Sequence, residues 1–314
     1  MTGSCLVTGG SGFIGGQVAR FLERQGHQVA VLGRSPVQGY RTVLGDLARA
    51  EIDFRGEAFR HVYHVAGLAH VEPRTNEEKE RFTLVNVEGT RALLTGLERC
   101  RELPRSFLLV STVAVYGVED GDLLEETTER RASDPYGLSK RQAEDLVQKW
   151  GERRRVRTAI VRLPLVAGPG APGNLGRMVT AMAAGRYLGM GTGAARRSMV
   201  RVADVAAVLP KVAEAGGVFH LTDGFHPTFR ELETNLAAAL GRRPPWRLPM
   251  PLAHTAAEVG DALEALTRKQ MPFNRRALGK MTSTLTFSDE KARQALGWRP
   301  TRVLDFVEEL LEGP

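Results

Sequence analysis

The sequence predicts an α/β fold in which a doubly wound parallel sheet carries a smaller C-terminal lobe. Three observations support this. Residues 5–15, Cys-Leu-Val-Thr-Gly-Gly-Ser-Gly-Phe-Ile-Gly, run a short apolar strand straight into a glycine turn and the opening of a helix. Apolar, β-branched runs then alternate with stretches of helical periodicity, the pattern of βαβ units. Beyond residue 164 the alternation breaks at Gly168-Pro169-Gly170-Ala171-Pro172-Gly173, and helices with short loops follow.

Taken in order, residues 6–7 read as a strand, 15–25 as a helix and 28–32 as a second strand. Further strands are expected at 61–65, 107–111 and 158–163, with helices at 80–100 and 135–153. Right-handed crossovers would then align the strand C-termini along one edge, giving a sheet of the Rossmann type with its ligands at that edge. In the second half, 178–185, 230–240, 252–266 and 288–296 read as helices, and 218–221 as a late core strand. The expected division is a dinucleotide-binding region, 1–164, and a mostly substrate-binding lobe, 165–314, that returns to the main sheet.

With 314 residues, 42% hydrophobic and 25% charged, the chain matches a globular protein with a sizeable core. The apolar run 159–168 is too short to span a bilayer and carries Arg162. The first strand begins within a few residues of Met1, which argues against a signal peptide. Cys5 and Cys100 show no metal-ligand spacing and read as reduced thiols of a cytoplasmic protein, and no metal site is expected. The net charge of +7 suits an anionic partner. No nucleic-acid-binding signature accompanies it, so a nucleotide coenzyme and a diphosphate-bearing substrate are the expected anions.

The glycine turn has a direct chemical reading. Gly9 lets the chain turn, Gly12 admits phosphate oxygens, and Gly15 lets the helix pack on its strand. The amides and dipole of the helix that begins at Phe13 and Ile14 would hold a pyrophosphate. Farther on, Asp134-Pro135-Tyr136 opens a helix on which Tyr136 and Lys140, four apart, share a face. An ammonium beside a phenol favours the phenolate, so Lys140 is expected to bring Tyr136 towards acid–base range. Lys140 could also donate to a ribose hydroxyl. The strand 107–111 runs into Ser111 and Thr112 at the sheet edge, where either hydroxyl could orient a reacting oxygen.

Together these motifs resemble the extended short-chain dehydrogenase/reductases, in the nucleotide-sugar epimerase and dehydratase group, over essentially the whole chain. Residues 8–15 resemble the family's coenzyme turn, and Asp46-Leu47 its adenine-contacting segment. Val65, Ala66 and Gly67 resemble the strand end lining the coenzyme, and Asn86 its structural Asn motif. Ser111-Thr112 and Tyr136-x-x-x-Lys140 resemble the catalytic set, with Thr112 in the catalytic slot and Ser111 beside the coenzyme. The resemblance implies that Asn174, Arg197 and Arg201 meet the nucleotide diphosphate, and that 296–300 is structural. It also implies a homodimer through helices 80–100 and 135–153, whose Leu84, Val87, Leu93 and Leu94 offer an apolar stripe.

Coenzyme choice is read at the end of the second strand. Gly33 stands where an NAD-selective acid is expected, and Arg34 and Ser35 follow. This tilts the expectation from NAD to NADP, with Arg34 on the 2′-phosphate; stacking of Arg34 on adenine is the alternative. Related 4,6-dehydratases carry an acid pair after the Ser/Thr, where this chain has Val113 and Ala114, so dehydration is not expected. Hydride transfer at C4 of a nucleotide sugar remains, as a 4-epimerase or a 4-keto-sugar reductase with Tyr136 as acid/base. A reductase of another small carbonyl or alcohol substrate is one alternative. The other is a non-catalytic nucleotide-sensing protein, which would usually have lost the Tyr or the Lys.

Overall fold

The computed structural model describes residues 3–49, 52–267, 271 and 273–312. Five strands of the first half are β1 (Ser4–Thr8), β2 (Gln28–Gly33), β3 (Arg41–Leu44), β4 (His61–His64) and β5 (Ser106–Thr112). The short β6 (Gly121–Leu124) precedes β7 (Arg157–Leu163), β8 (Leu165–Ala167), β9 (Gly189–Met190), β10 (Met199–Arg201) and β11 (Gly217–His220). β12 (Arg247–Leu248) and β13 (Leu285–Phe287) complete the set. The main sheet has seven strands in the order β11-β7-β5-β4-β1-β2-β3. Every neighbouring pair in it is parallel. The order reverses beside β1, so the crevice of a doubly wound sheet opens between β1 and β4.

Helices cover both faces. α1 (Phe13–Arg24) lies on one face; α2 (Asn76–Phe82), α3 (Gly89–Leu97) and α4 (Pro135–Arg154) follow in the chain. The lobe contributes α5 (Gly173–Ala183), α6 (Val202–Ala215), α7 (Phe229–Ala239), α8 (Met250–Thr267), α9 (Arg275–Thr282) and α10 (Glu290–Leu296). Leu108 and Val110 of β5 join the core under α1 and α6, whereas Phe107 and Leu109 join the core under α3 and α4. That two-residue alternation, apolar on both sides, explains why β5 reads as a continuous hydrophobic run. β11 and α6 come from the C-terminal half yet belong to these two layers.

Two departures from the expected elements have local causes. The expected helix 80–100 begins earlier, where Thr75 and Glu78 close a capping box, and its middle is a π-helical turn, Thr83–Glu88. Apolar periodicity does not reveal a wider turn; such turns mark functional positions in many helices. β3 escaped the sequence reading because its Arg-Thr-Val-Leu segment lies at the sheet edge with no residue buried. Beyond the sheet, α5, α7 and the 3₁₀ segment Val303–Leu311 share one lobe core, and α8 with α9 forms a smaller one. No helix among the described residues is long and apolar enough to cross a membrane.

Candidate active site

Gly9 has φ +70°, and a Cβ there would lie 3.0 Å from the backbone of Ala66, so β1 and β4 approach too closely for a side chain. A Cβ on Gly15 would come within 2.1 Å of the Gly9 carbonyl oxygen, which is why the helix can start directly against its strand. Gly12 is the N-cap of α1 and brings no side-chain cap, and the first turn carries no acid. The opening amides of α1 and the positive end of its dipole are therefore left for an anion. These features fit a dinucleotide pyrophosphate, held by the backbone of Gly12, Phe13 and Ile14.

Beside this turn lies a network that the sequence reading missed. The Thr90 hydroxyl donates to the Asn86 carbonyl (2.6 Å), so it accepts from His64 Nε2 at 2.9 Å. His64 Nδ1 then accepts from the Thr8 hydroxyl at 2.8 Å, and the Thr8 oxygen receives the amides of Val65 and Ala66 at 3.1 and 3.0 Å. Burial in this chain keeps His64 neutral, with its pKa lowered to about 3, and the Lys140 charge adds to the effect. The segment Val65-Ala66-Gly67 is thereby pinned where the sheet edge expects a coenzyme. Only the β1–β4 register, Thr8 opposite His64, exposes the pairing.

Asn86 sits in the π turn and is buried. Its Oδ1 accepts the Leu68 amide at 2.7 Å, and its Nδ2 donates to the Leu68 carbonyl (3.0 Å) and the Ser139 hydroxyl (2.9 Å). Asn86 thereby ties the β4 loop to α4, beside Gly67 of the expected coenzyme segment. Ser111 is engaged within the protein as well, its hydroxyl donating to buried Glu144 at 2.6 Å. Glu144 also accepts from Arg162 (2.8 Å) and Arg130 (3.1 Å). Arg162 can only donate, so its 2.8 Å bond to the Tyr116 hydroxyl directs that phenol proton to His220 Nε2, 2.6 Å away. This chain locks β5, β7 and β11 behind the site.

Thr112, Tyr136 and Lys140 converge at the end of β5 and the start of α4. Thr112 Oγ1 accepts the Ala114 amide at 3.2 Å, and Asp134 caps α4 through the Gly137 amide at 3.1 Å. Tyr136 leaves part of its ring exposed beside Phe82, with ring centroids 6.1 Å apart, but its hydroxyl lies deep. Burial raises that phenol to about 12 and Asp134 adds to it, while a hydrogen bond with Thr112 opposes both. Lys140 Nζ donates to the Val110 carbonyl at 2.7 Å; burial lowers it to about 8, against the pull of Glu144. The expected lowering of Tyr136 by Lys140 is therefore absent from this arrangement, because the ammonium is turned to the strand.

The remaining expected contacts divide. Arg34 is exposed, with no hydrogen bond or ion pair among the described residues, and Asp46 holds the Ala48 amide at 2.9 Å ahead of Leu47, which packs under Gly89. Asn174 is exposed in the first turn of α5 and accepts from Arg177 at 2.6 Å. Arg197 donates to the Lys280 carbonyl at 2.5 Å through one terminal nitrogen, while the other is buried without a partner. Arg201, in contrast, is held two-handed by Glu309 and lies over the Phe306 ring at 3.8 Å. Of the two arginines expected at a diphosphate, Arg197 holds a buried nitrogen without a partner among the described residues, whereas Arg201 commits Nε and one terminal nitrogen to Glu309.

Residues 5–220 match the NAD dependent epimerase/dehydratase family, and the chain belongs to it. It is similar to a UDP-glucose 4-epimerase of Vibrio cholerae, 27% identical over 97% of this chain and 93% of the relative. It is also similar to a ceramide reductase of Caulobacter vibrioides, 30% identical over 90% of this chain and 84% of that one. A solved UDP-glucose 4-epimerase of Thermus thermophilus in complex with NAD superposes with a TM-score of 0.74 at 25% identity, covering 98% of this chain and 97% of the other. The family is NAD(P)-dependent, and its relatives include both epimerases and reductases.

Proposed function

We propose that this chain is an NAD(P)-dependent oxidoreductase of nucleotide sugars that works by hydride transfer at C4, with Tyr136 as the acid/base. The observation that carries the reading is the meeting of Thr112, Tyr136 and Lys140 at the sheet edge that also holds the open N-terminus of α1. A bound nicotinamide supplies or accepts the hydride. The Thr112 hydroxyl, bonded to the Tyr136 phenol, orients the sugar oxygen. In the reducing direction the Tyr136 proton passes to that oxygen, and the tyrosinate is reprotonated from solvent. Lys140 stays cationic below about pH 8 and supplies charge and a donor beside Gly67, where a ribose would lie. Arg197 offers its free donor, and Asn174 a first-turn amide side chain, to a diphosphate.

One feature favours the ketoreductase over the epimerase: exposed Arg34, with no partner among the described residues, suits a 2′-phosphate, hence NADPH. The 4-epimerase is the second reading, supported by the similarity to the Vibrio cholerae epimerase along almost the full chain. Dehydration is not proposed, because the 3₁₀ turn after Thr112 carries Val113 and Ala114 where an acid and base would be needed. A homodimer is proposed through α2–α3 and α4. Its apolar stripe is narrower than the sequence suggests, because Val87, Leu93 and Leu94 are buried in the subunit and Leu84 alone is exposed. A cytoplasmic location suits the two free thiols, Cys5 and Cys100.

The test is the identity and exchangeability of coenzyme on freshly purified protein, followed by turnover of UDP- and dTDP-linked 4-keto sugars. Empty protein that prefers NADPH and consumes it with a 4-keto sugar supports the reductase. Stoichiometric NAD that survives gel filtration, with interconversion of 4-epimers, supports the epimerase. Failure of every nucleotide sugar to turn over removes the reading.

A further inference from the structure

α8 is built the wrong way round for a helix that only covers a core. Its inward face carries Ala253, Ala257 and Gly260, all buried, and a Cβ on Gly260 would lie 2.0 Å from the Phe273 carbonyl oxygen. Its large apolar residues point outward: Leu252 is 58% exposed, Val259 54%, Leu263 43% and Leu266 82%. Positions 252, 259, 263 and 266 fall on one stripe at 100° per residue, exposed Ala256 lies at its edge, and exposed Ala262 lies beside it. The acids of the helix are off this stripe and occupied: Glu258 and Asp261 pair with Arg275, and Glu264 accepts from Asn274.

The segment leading into α8 extends the surface. Trp246 is 87% exposed, the highest value among the exposed large hydrophobic residues, and β12 alone separates it from α8. It borders a cleft of about 430 Å³ lined by the buried Met182, the side of Leu240, and Arg186, Arg242 and Arg243. All three arginines are exposed, and none has an ion pair or side-chain hydrogen bond among the described residues. Neighbouring Arg247, by contrast, is paired with Glu233. α8 itself carries no Lys or Arg; its outward leucines and Trp246 supply the apolar part of a membrane-interface surface, and the unpaired guanidiniums of the neighbouring cleft supply the cationic part.

We propose that the substrate lobe docks on an anionic lipid bilayer through the outer stripe of α8, Trp246 and the arginines of the adjoining cleft. The leucines enter the acyl boundary, and Arg186, Arg242 and Arg243 meet lipid phosphates. Charge selects this occupant over a second copy of the chain. A two-fold contact would bring two sets of the same unpaired guanidiniums to one interface without an acid to meet them. Docking is independent of the reaction proposed above and stands or falls by itself.

The experiment is co-sedimentation of the full chain with vesicles of phosphatidylcholine alone and of phosphatidylcholine mixed with phosphatidylglycerol. Binding is expected only to the mixed vesicles and should weaken as salt is added. Trp150 and Trp298 are already buried, so a blue shift of tryptophan emission on binding reports Trp246. The pair Leu263→Ser and Leu266→Ser should cut partitioning by about tenfold or more. Arg242→Gln and Arg243→Gln should cost about fivefold each. All four positions are exposed, so near-parental melting is expected and serves as the folding control. No binding to mixed vesicles overturns the proposal, as does equal binding by every variant. It also fails if the leucine variants convert a dimer to a monomer while vesicle binding persists.

Discussion

At the end of β1 a single threonine oxygen serves two backbone amides and one imidazole, and the chain of donors closes on a main-chain carbonyl at Asn86. In the lobe, Arg197 keeps one buried nitrogen without a partner, and three arginines stand around a cleft with no acid opposite them. Around His64 every side-chain polar group named finds a partner inside the protein; in the lobe one buried Arg197 nitrogen does not, and the three exposed arginines meet solvent. Buried polar groups are paired in the great majority of cases, so Arg197 is the exception of the two regions. The first region is a finished mould beside the open amides of α1, and the lobe keeps donors that the protein does not use.

Five substitutions and one titration would break or sharpen that contrast. Tyr136→Phe should lower kcat by about 10²–10⁴-fold and leave coenzyme affinity unchanged in a fluorescence titration. A matching loss of coenzyme binding would mean that the residue shapes the mould instead of performing the chemistry. Glu144→Gln leaves Arg162 and Arg130 facing a neutral group in the core, and should cost about 3–5 kcal/mol in urea unfolding. Retention of parental stability would show that the lock behind the site is dispensable.

Acid should undo the finished region. His64 holds a pKa of about 3 in the fold against 6.5 when unfolded, and His220 about 4, so the unfolded chain takes up protons first. Their contribution is therefore full above pH 6.5 and is lost as pH falls from there towards about 3–4. Urea midpoints across that range should decline, and the His64→Leu variant should show a shallower decline. Arg197→Leu should raise KM for a nucleotide diphosphate substrate by about 10–100-fold with kcat almost unchanged, and should cost about 1 kcal/mol of stability, because the Lys280 carbonyl loses its donor. Arg34→Ala should weaken NADPH by about tenfold and leave NADH alone; equal weakening of both would reassign Arg34 to the adenine.

Much of the fold was readable because local signals and global layers agree. The glycine turn, the apolar β5 run and the periodic α1 and α4 each announced themselves; spacing on α4 singled out Tyr136 and Lys140, and the family resemblance chose Thr112 over Ser111 at the end of β5. The failures have a common origin. Edge strand β3 buries no residue, lobe strands such as β9 and β10 are too short to show a period, and the π turn at Thr83–Glu88 breaks the period it interrupts. The internal partners of Ser111, Asn86 and Arg201 were not legible either, because Glu144, Leu68 and Glu309 lie 33, 18 and 108 residues away.

The sequence by itself determined the main strands and helices of the first half, the glycines that the turn requires and the placement of Tyr136 and Lys140 on one helix face, because each depends on residues close together in the chain. Tertiary structure decided which hydroxyl at the end of β5 meets Glu144 and which meets Tyr136, and which arginine pairs with Glu309. It also turned Lys140 to Val110 and left the leucines of α8 outside. Those outcomes depend on which distant group reaches a donor or a face first, and a linear sequence carries no distance across the fold.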